Sequence, residues 1–241
     1  MKTSAKAGTA KAAVLPQDRK VTLGETLRRR ILTMELQPGA VLDEVLLGEE
    51  FGLSRPPVRE LMRQMAAEGY IDLEANRAAR VASMSFDSLR NFFLAAPLIY
   101  VATTRLAASH ATEADVQELR HIQAQFRAAV ASGDVDSRVF FNDQFHQTVG
   151  RAARNPYLMP SLCRLQIDHA RLAKTFYQPH TSDMQAELEE AVLQHDQIIE
   201  AIARHDAERA GDIVRQHLEL SRRNMAMYVT PEGVQAPFGE P

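Results

Sequence analysis

Residues 51–71 decide the fold, and they read FGLSRPPVRELMRQMAAEGYI. The pattern predicts a tight turn, a helix that begins after Ser54, and then the start of a strand. We expect the Ser54 hydroxyl to cap this helix by accepting an N–H of its first turn. Pro56 and Pro57 are compatible with that turn, because first-turn N–H groups have no intrahelical partner. An apolar stripe at helical spacing predicts the buried face: Val58, Leu61, Met62 and Met65.

A second face of the same helix carries arginines every four residues, at Arg55, Arg59 and Arg63. No acid interrupts this row. A helix with one apolar face and one guanidinium face, entered through a tight turn, suits a reader of the DNA major groove. A solvated amphipathic helix has the same general pattern, so the interpretation depends on the flanking sequence.

The flanking sequence predicts a small domain around this helix. Apolar spacing predicts two earlier helices, at about 21–34 and 44–51. Two short segments with strand character, at about 70–74 and 79–82, predict a hairpin after it. Three helices and a hairpin predict a winged helix-turn-helix domain over 18–85.

From residue 86 onward the sequence shows helical periodicity without a strand pattern. Six helices are predicted, at about 86–108, 113–131, 134–150, 157–176, 184–205 and 207–228. We therefore expect an antiparallel all-helical bundle over 86–228, and a fold that is mostly α. Residues 1–17 and 229–241 are expected to form a disordered tail and a flexible tail.

Composition excludes some classes of protein. Cys163 is the single cysteine among 241 residues, so an internal disulfide is excluded and a reducing cytoplasm fits best. No window approaches 18 uninterrupted apolar residues, so no membrane span is expected. The net charge of −3 does not indicate nucleic-acid binding. Such binding would depend on local clusters: Arg28-Arg29-Arg30, the Arg55/Arg59/Arg63 row, and Arg77 with Arg80.

Three predicted bundle helices carry polar side chains inside apolar stripes. Asn142 and His146 lie one turn apart on one stripe, His195 lies on another, and His217 on a third. A buried imidazole without a hydrogen-bond partner costs roughly 1–3 kcal/mol, so each ring needs a partner. One metal ion would satisfy the three rings and the asparagine oxygen together, and neutral imidazole suits zinc, nickel, copper or iron. Separate hydrogen bonds to neighbouring carbonyls or hydroxyls remain the alternative.

The other histidines have simpler interpretations. His121 and His180 fall off the apolar faces or in a loop, which predicts surface positions. His110 and His205 lie at helix ends, where we expect them to bond terminal carbonyls. His169 could line a cavity, but its stripe is ambiguous.

Two longer segments carry a resemblance to a known family. Residues 36–81, LQPGAVLDEVLLGEEFGLSRPPVRELMRQMAAEGYIDLEANRAARV, resemble at almost every position the pattern PG…E..L….gvSR.PVRE.L..L…G……rG..V of the GntR family of bacterial transcription regulators. Residues 142–158, NDQFHQTVGRAARNPYL, and residues 194–210, QHDQIIEAIARHDAERA, resemble signatures of its FadR-like branch, which has an all-helical effector domain. The resemblance covers about residues 20–228.

The resemblance implies which residues bind DNA. Arg55 and Arg59 would contact bases and phosphates, Arg77 would lie in a wing that reaches the minor groove, and Ser54 would cap the reader helix where Pro56 and Pro57 meet the groove. Family members commonly hold a divalent metal through Asp or Asn and three His, which match Asn142, His146, His195 and His217. Zinc is the first expectation, with nickel, manganese or iron as alternatives.

Two departures from the family pattern concern the wing and the effector pocket. Ala78 stands where the wing usually has glycine. Tyr100 falls near the position of a common glutamate, and an apolar residue falls near the position of a common arginine. A contact to the effector would then come from elsewhere, for instance from Arg138 or Arg171, although a surface position is the simpler interpretation of each.

The resemblance implies a cytoplasmic, non-enzymatic, metabolite-responsive regulator, expected to repress a catabolic operon. A homodimer is expected to bind palindromic double-stranded operator DNA. Because Asn142 would leave the metal ligands neutral, we expect an anionic effector, a small organic or sugar acid that chelates the metal. Two alternatives remain: a metal-dependent hydrolase, and a regulator with a metal-free effector pocket.

Overall fold

The computed structural model describes residues 16–75, 77–176 and 182–229. These residues form a mostly helical fold with one small sheet, as the sequence predicts. The elements in chain order are α1 (Pro16–Leu32), β1 (Val41–Leu42), α2 (Glu44–Phe51), α3 (Arg55–Glu68), β2 (Ile71–Asp72), β3 (Ala79–Val81), α4 (Phe86–His110), α5 (Glu113–Ser132), α6 (Val135–Ala152), α7 (Leu158–Phe176), α8 (Ser182–Ala203) and α9 (Ala207–Val229).

The first three helices and the sheet form the predicted winged helix-turn-helix. Asp43 caps α2 by accepting from the N–H of Val45 at 2.7 Å, and α2 ends at Gly52 in the left-handed conformation, with φ 63°. The apolar stripe of α3 is buried as predicted: Val58, Leu61, Met62 and Met65. The sheet has three antiparallel strands in the order β1-β3-β2. Strand β1 was not predicted, because two residues are too few to show alternation.

The helix bounds follow the predictions closely, with one exception. Each bundle helix begins and ends within two residues of its predicted limits. Helix α1 already includes Pro16, the first described residue, about five residues before its predicted start. Met34 has a φ of 60°, so the chain has already left the helix there.

Helix α4 lies at the centre of the bundle and contacts α6, α7, α8 and α9. By length and composition alone it could cross a membrane, and it is the one helix in the described part of the chain that meets this test. The sequence criterion of an uninterrupted apolar run did not detect it. In this structure the helix buries apolar side chains in the core of the bundle, among them Phe92, Ala96 and Tyr100.

Helix α7 joins the two halves of the molecule by packing against both α1 and α3. Leu32, at the end of α1, packs against a small apolar cluster formed by Val139 of α6 with Ala170 and Ala173 of α7. Arg171 of α7 is fully buried and donates a hydrogen bond of 2.7 Å to the carbonyl of Ala82, just beyond β3. The winged helix-turn-helix half and the helical half therefore pack directly against each other.

Candidate functional site

Three histidines from three helices meet in the interior of the bundle. His146, His195 and His217 are all buried, and one ligand nitrogen from each lies within 4.8 Å of the others. The Nε2 atoms of His195 and His217 are 3.3 Å apart. The structure thus brings together the three rings that the sequence stripes selected.

Two glutamines decide which nitrogens carry protons. Gln123 donates through Nε2 to the carbonyl of Val192 at 2.8 Å, so its Oε1 must accept from His195 Nδ1, which lies at 3.1 Å. Gln194 donates to Glu190, and its Oε1 accepts from His217 Nδ1 at 3.1 Å. A neutral imidazole has one proton, so a protonated Nδ1 leaves Nε2 with a lone pair.

This arrangement fits a bound cation. The Nε2 lone pairs of His195 and His217 face each other, and Nε2 of His146 is buried without a hydrogen-bond partner among the described residues. Two nitrogens bound to one tetrahedral zinc at about 2.1 Å would be about 3.4 Å apart, close to the observed 3.3 Å. Glutamine oxygens on the outer nitrogens are also the support that metal-binding histidines usually have.

Burial keeps the three rings neutral. Loss of hydration lowers the pKa of His217 to about 3. It lowers the pKa of His146 and of His195 well below the usual value, and the charge of neighbouring rings adds to the effect. Neutral imidazole is the form that binds a metal, so these rings need not lose protons at neutral pH to do so.

A small cavity adjoins the cluster. Its volume is about 30 Å³, enough for roughly two water molecules. The polar lining residues are Arg138, Asn142, His169 and His217, and the apolar ones are Phe126, Val139, Ala173, Leu188 and Ala191. Asn142 is half-buried on α6, one turn before His146, and lines this cavity together with His217.

Two cavity residues were missed or misjudged from the sequence. Arg138 is only 3% exposed, whereas a surface position was the simpler expectation. Its spacing of four residues from Asn142 was the available signal. His169, whose stripe was ambiguous, is buried, and its Nδ1 lies 3.0 Å from the Tyr100 hydroxyl. Burial lowers the pKa of His169 to about 4.

The remaining histidines behave largely as expected. His110 Nδ1 lies 3.0 Å from the carbonyl of Ala153, and His205 Nδ1 lies 2.8 Å from the carbonyl of Ala108. His121 is exposed. His180 falls outside the described residues.

The arginine row of α3 is exposed, and one member is held by an acid. Arg55, Arg59 and Arg63 all lie on the solvent side of the helix. Arg59 Nε donates to Glu44 of α2 at 2.7 Å, which orients its guanidinium at the junction of the two helices. The row therefore presents positive charge on one continuous face of the reader domain.

The prediction that Ser54 caps α3 with its hydroxyl is wrong. Ser54 occupies the N-cap position with an extended backbone, but its side chain makes no capping hydrogen bond. An N-cap side chain accepts from the N–H of the second or third helical residue, and these residues are Pro56 and Pro57, which have none. Both prolines lie in the first turn next to Arg55, and Pro56 is exposed.

Other basic clusters have different surroundings. Arg28 makes a bidentate contact with Glu68, and Arg30 pairs with Glu50 at 2.7 Å, so these two arginines link α1 to α3 and to α2. Arg77 lies in the wing, is well exposed, and pairs with Glu74. Ala78 is not among the described residues with positive φ, so the wing turn does not require glycine there.

A winged helix-turn-helix packed against a helical bundle with a buried polar cavity defines a transcription regulator with separate DNA-binding and effector domains. Residues 20–81 match the model of bacterial regulatory proteins of the gntR family, and residues 98–220 match the FCD domain. The chain belongs to the gntR family of bacterial regulatory proteins, with an FCD domain as its helical half.

Individual relatives agree with this assignment. The chain is 28% identical over 193 residues to the HTH-type transcriptional repressor RspR of Escherichia coli, covering 80% of this chain and 82% of that protein. It is 28% identical over 198 residues to the HTH-type transcriptional repressor GlaR of Escherichia coli, covering 80% and 89%. The solved structure of E. coli McbR/YncC has a similar fold, with a TM-score of 0.72 at 20% identity, covering 87% of this chain and 96% of that one.

Proposed function

We propose that this chain is a metabolite-responsive repressor of a catabolic operon, released from palindromic operator DNA by a small organic or sugar acid. One observation carries the proposal. The buried imidazole cluster adjoins a cavity, and two residues that line it, Val139 and Ala173, belong to the apolar cluster against which Leu32 of the DNA-reader half packs. Occupancy of the cavity and the position of the reader half are therefore physically linked.

The DNA contacts are assigned to the reader helix and the wing. Arg55 and Arg59 bind bases and phosphates of the major groove, and Arg77 reaches toward the minor groove. Ser54, Pro56 and Pro57 meet the backbone at the helix entrance. The exposed positions of the three arginines support this assignment, and a bidentate arginine–guanine pair contributes roughly 1–3 kcal/mol of discrimination.

Asn142, His146, His195 and His217 are assigned to a divalent metal, with zinc first and nickel, manganese or iron as alternatives. When bound, the ion would supply the positive charge that attracts a carboxylate. The chain supplies neutral ligands, so that charge is not cancelled. Gln123 and Gln194 orient the rings through Nδ1, and the surrounding helices exclude water.

The coupling is assigned to α7. A cavity of about 30 Å³ is too small for an organic acid, so binding must move its walls apart. His169 and Ala173 of α7 lie in those walls, and Arg171 between them donates to the Ala82 carbonyl beside the wing. A ligand shifts a conformational equilibrium only if it binds one of the two conformations more tightly. The acid therefore binds more tightly to the conformation in which α7 has moved. In that conformation the α3 helices of the two protomers no longer fit the two half-sites of the operator.

The remaining assignments concern the assembly. A homodimer in the cytoplasm is proposed, since a palindrome needs two readers related by a two-fold axis. Leu94 and Leu98 of α4 are 62% and 72% exposed and offer an apolar face for the partner.

The DNA-binding domain is assigned to 18–85 and the effector domain to 86–228. We assign no enzymatic activity, because the matched family and the named relatives are transcription regulators.

Arg59→Ala tests the DNA-binding surface. A duplex selected from a random pool by the wild-type protein should lose its gel shift with this variant, and helical content should stay unchanged. Glu44→Gln is the matched control, because it breaks the same ion pair but leaves the guanidinium in place. Its DNA affinity should equal or exceed that of the wild type. Equal loss in both variants would make Arg59 a structural residue and contradict the assignment.

A second experiment tests the effector site. Elemental analysis of the purified protein should find about one divalent metal per chain, and a panel of carboxylic acids should release the selected duplex. Removal of the metal by a chelator should abolish the release of DNA by acid. The variant His195→Ala, which lacks one of the three rings, should contain no metal. Release by acids in the metal-free protein would favour the alternative of a metal-free pocket.

A further inference from the structure

A second and larger cavity lies between the two halves of the molecule, and we call it the interdomain cleft. Its volume is about 440 Å³, within the roughly 300–1,000 Å³ that small-molecule sites occupy. The winged helix-turn-helix half contributes Leu32, Ala67 and Tyr70 to its lining, and the helical half contributes Asp143 and Gln166 among others. It has no lining residue in common with the cavity beside the histidines.

Helix α6 contributes to both cavities through neighbouring faces. Asn142 lies on the face that lines the cavity beside the histidines. Asp143 follows it in the chain and is rotated by about 100° around the helix axis. Asp143 and Gln147, four residues apart, share this second face and line the interdomain cleft. The cleft is therefore a separate place on the molecule for a ligand.

The cleft has a hydrogen-bond acceptor without a donor. Gln166 is only 4% exposed, and its Nε2 donates to the backbone carbonyl of Asp143 at 3.1 Å. Its Oε1 is buried and has no hydrogen-bond partner among the residues that the structure describes. Reversing the amide would not help, because Oε1 would then face the carbonyl oxygen. Since a buried acceptor without a donor is costly, the site favours a ligand that donates.

The cleft also has a carboxylate whose charge is not balanced. Two acids line it, and Glu68 is paired with Arg28 at 2.8 Å. Asp143 is half-buried and forms no ion pair within the described part of the chain. Arg164, a basic lining residue, is paired with Asp168 at 3.1 Å. A carboxylate partly removed from water favours a cation beside it, so a ligand with positive charge suits this cleft.

We propose that the interdomain cleft binds a small organic amine, whose ammonium group donates to the Asp143 carboxylate and to Gln166 Oε1. The carbon skeleton of the amine packs against the apolar lining, which includes Leu32, Ala67 and Ile167. Hydrogen bonds between charged groups are about twice as strong as neutral ones. The amine contacts both halves of the molecule, so it stabilises the arrangement in which they are packed together. Its binding is independent of the proposed metal and carboxylate.

Calorimetric titration of the full chain tests this site with three probes of the same chain length. Hexylamine has both a positive charge and N–H donors. Hexanol lacks the charge, and hexyltrimethylammonium has the charge but no N–H donor. Hexylamine should bind roughly tenfold tighter than either of the other two, because only an ammonium group both neutralises the carboxylate and donates to it.

Cys163 provides a second measurement, which locates the bound probe. It lines the interdomain cleft and is the single cysteine of the chain. Saturating hexylamine should slow the reaction of this thiol with a chromogenic disulfide reagent several-fold. Hexanol at the same concentration should leave the rate unchanged.

Asp143→Asn keeps the shape of the side chain and removes its charge. It should lower the affinity for hexylamine roughly tenfold and abolish the protection of Cys163. Asp136→Asn is the matched control, because Asp136 lies on the same helix but is exposed and pairs with Lys174. Its affinity for hexylamine should equal that of the wild type.

Ala67→Phe tests the other wall of the cleft. The larger side chain occupies part of the cleft from α3 without removing a charge or a hydrogen-bonding group, and it should also abolish binding of hexylamine. Circular dichroism establishes that each variant is folded, and if Asp143→Asn does not fold, the Ala67→Phe result decides.

Three outcomes overturn the inference: no binding of hexylamine, equal binding of hexylamine and hexanol, or unchanged affinity for hexylamine in the folded variants of Asp143 and Ala67. A failure of the metal or carboxylate experiments leaves it in place, because the two cavities have no lining residue in common. The two kinds of failure are therefore distinguishable.

Discussion

At the residue scale, the chemistry of the cluster depends on Gln123 and Gln194 as much as on the histidines. Each glutamine uses its amide nitrogen on a fixed acceptor, and so must present its oxygen to an imidazole Nδ1. That choice leaves Nε2 of His195 and of His217 as acceptors in the same small space. Two facing lone pairs repel unless a cation or a hydrogen-bond donor lies beside them, and this supports the proposed metal site.

Gln194→Ala should weaken zinc binding by about 10–100-fold, the usual effect of removing an outer partner of a metal ligand. The His217 Nδ1 proton would lose its acceptor, and the ring would lose its orientation. Competition with a chromogenic zinc chelator measures the affinity. Gln185→Ala on the same helix, where the amide bonds the exposed Glu189, should leave it unchanged. Equal zinc affinity in both variants would assign Gln194 to packing.

At the scale of elements, the two helices of the DNA reader begin in different ways. Asp43 caps α2 with two bonds from its carboxylate, to the N–H groups of Val45 and Leu46. Ser54 holds the equivalent position before α3 without a capping bond, because the prolines that follow have no N–H to donate. The hydroxyl of Ser54 is thereby left for a contact outside the helix, such as a DNA phosphate.

Asp43→Ala should lower the free energy of unfolding by about 1 kcal/mol, the usual loss for an N-cap. Ser54→Ala should lower it by less than about 0.5 kcal/mol, as expected for a surface change that removes no bond. Urea denaturation followed by circular dichroism compares the two. A loss at Ser54 as large as that at Asp43 would mean that its hydroxyl does stabilise the helix.

At the scale of the molecule, α7 belongs to both halves. Its inner face lines the cavity beside the histidine cluster through His169 and Ala173, and Arg171 donates a hydrogen bond to the Ala82 carbonyl of the reader half. Arg171 also pairs with Asp168 at 3.2 Å, and the same carboxylate accepts from the more exposed Arg164 at 3.1 Å. One buried and one surface arginine thus share an acid on the helix that connects the domains.

Arg171→Met should destabilise the protein by roughly 3–5 kcal/mol, the cost of breaking a buried ion pair, and should weaken the release of DNA by the effector. Arg164→Met should cost no more than about 1 kcal/mol, because a surface pair contributes little. Urea denaturation and a gel shift with added acid measure both effects. Normal release of DNA by acid in a folded Arg171→Met protein would exclude this arginine from the coupling.

The sequence by itself determined the elements and the nature of the two halves. Helical spacing, turn residues and the arginine row of α3 are patterns that span only a few residues, so they can be recognised in the sequence alone. They predicted α2, α3 and the six bundle helices within two residues of their bounds. The same spacing selected His146, His195 and His217, because an apolar stripe with a polar ring in it is a local pattern. Local patterns also account for the errors, since β1 has only two residues and Ser54 precedes two prolines.

Only the tertiary structure decided which of these side chains meet. Gln123 and His195 are 72 residues apart, and Arg171 lies 89 residues from Ala82, separations at which no periodicity applies. For Arg138 the only signal of burial was its spacing of four residues from Asn142. The burial of Arg171 was not predictable, because a charged residue is exposed or buried according to the helices that pack over it. Contacts between distant helices depend on how their surfaces fit together, and the order of residues along one helix does not specify that fit.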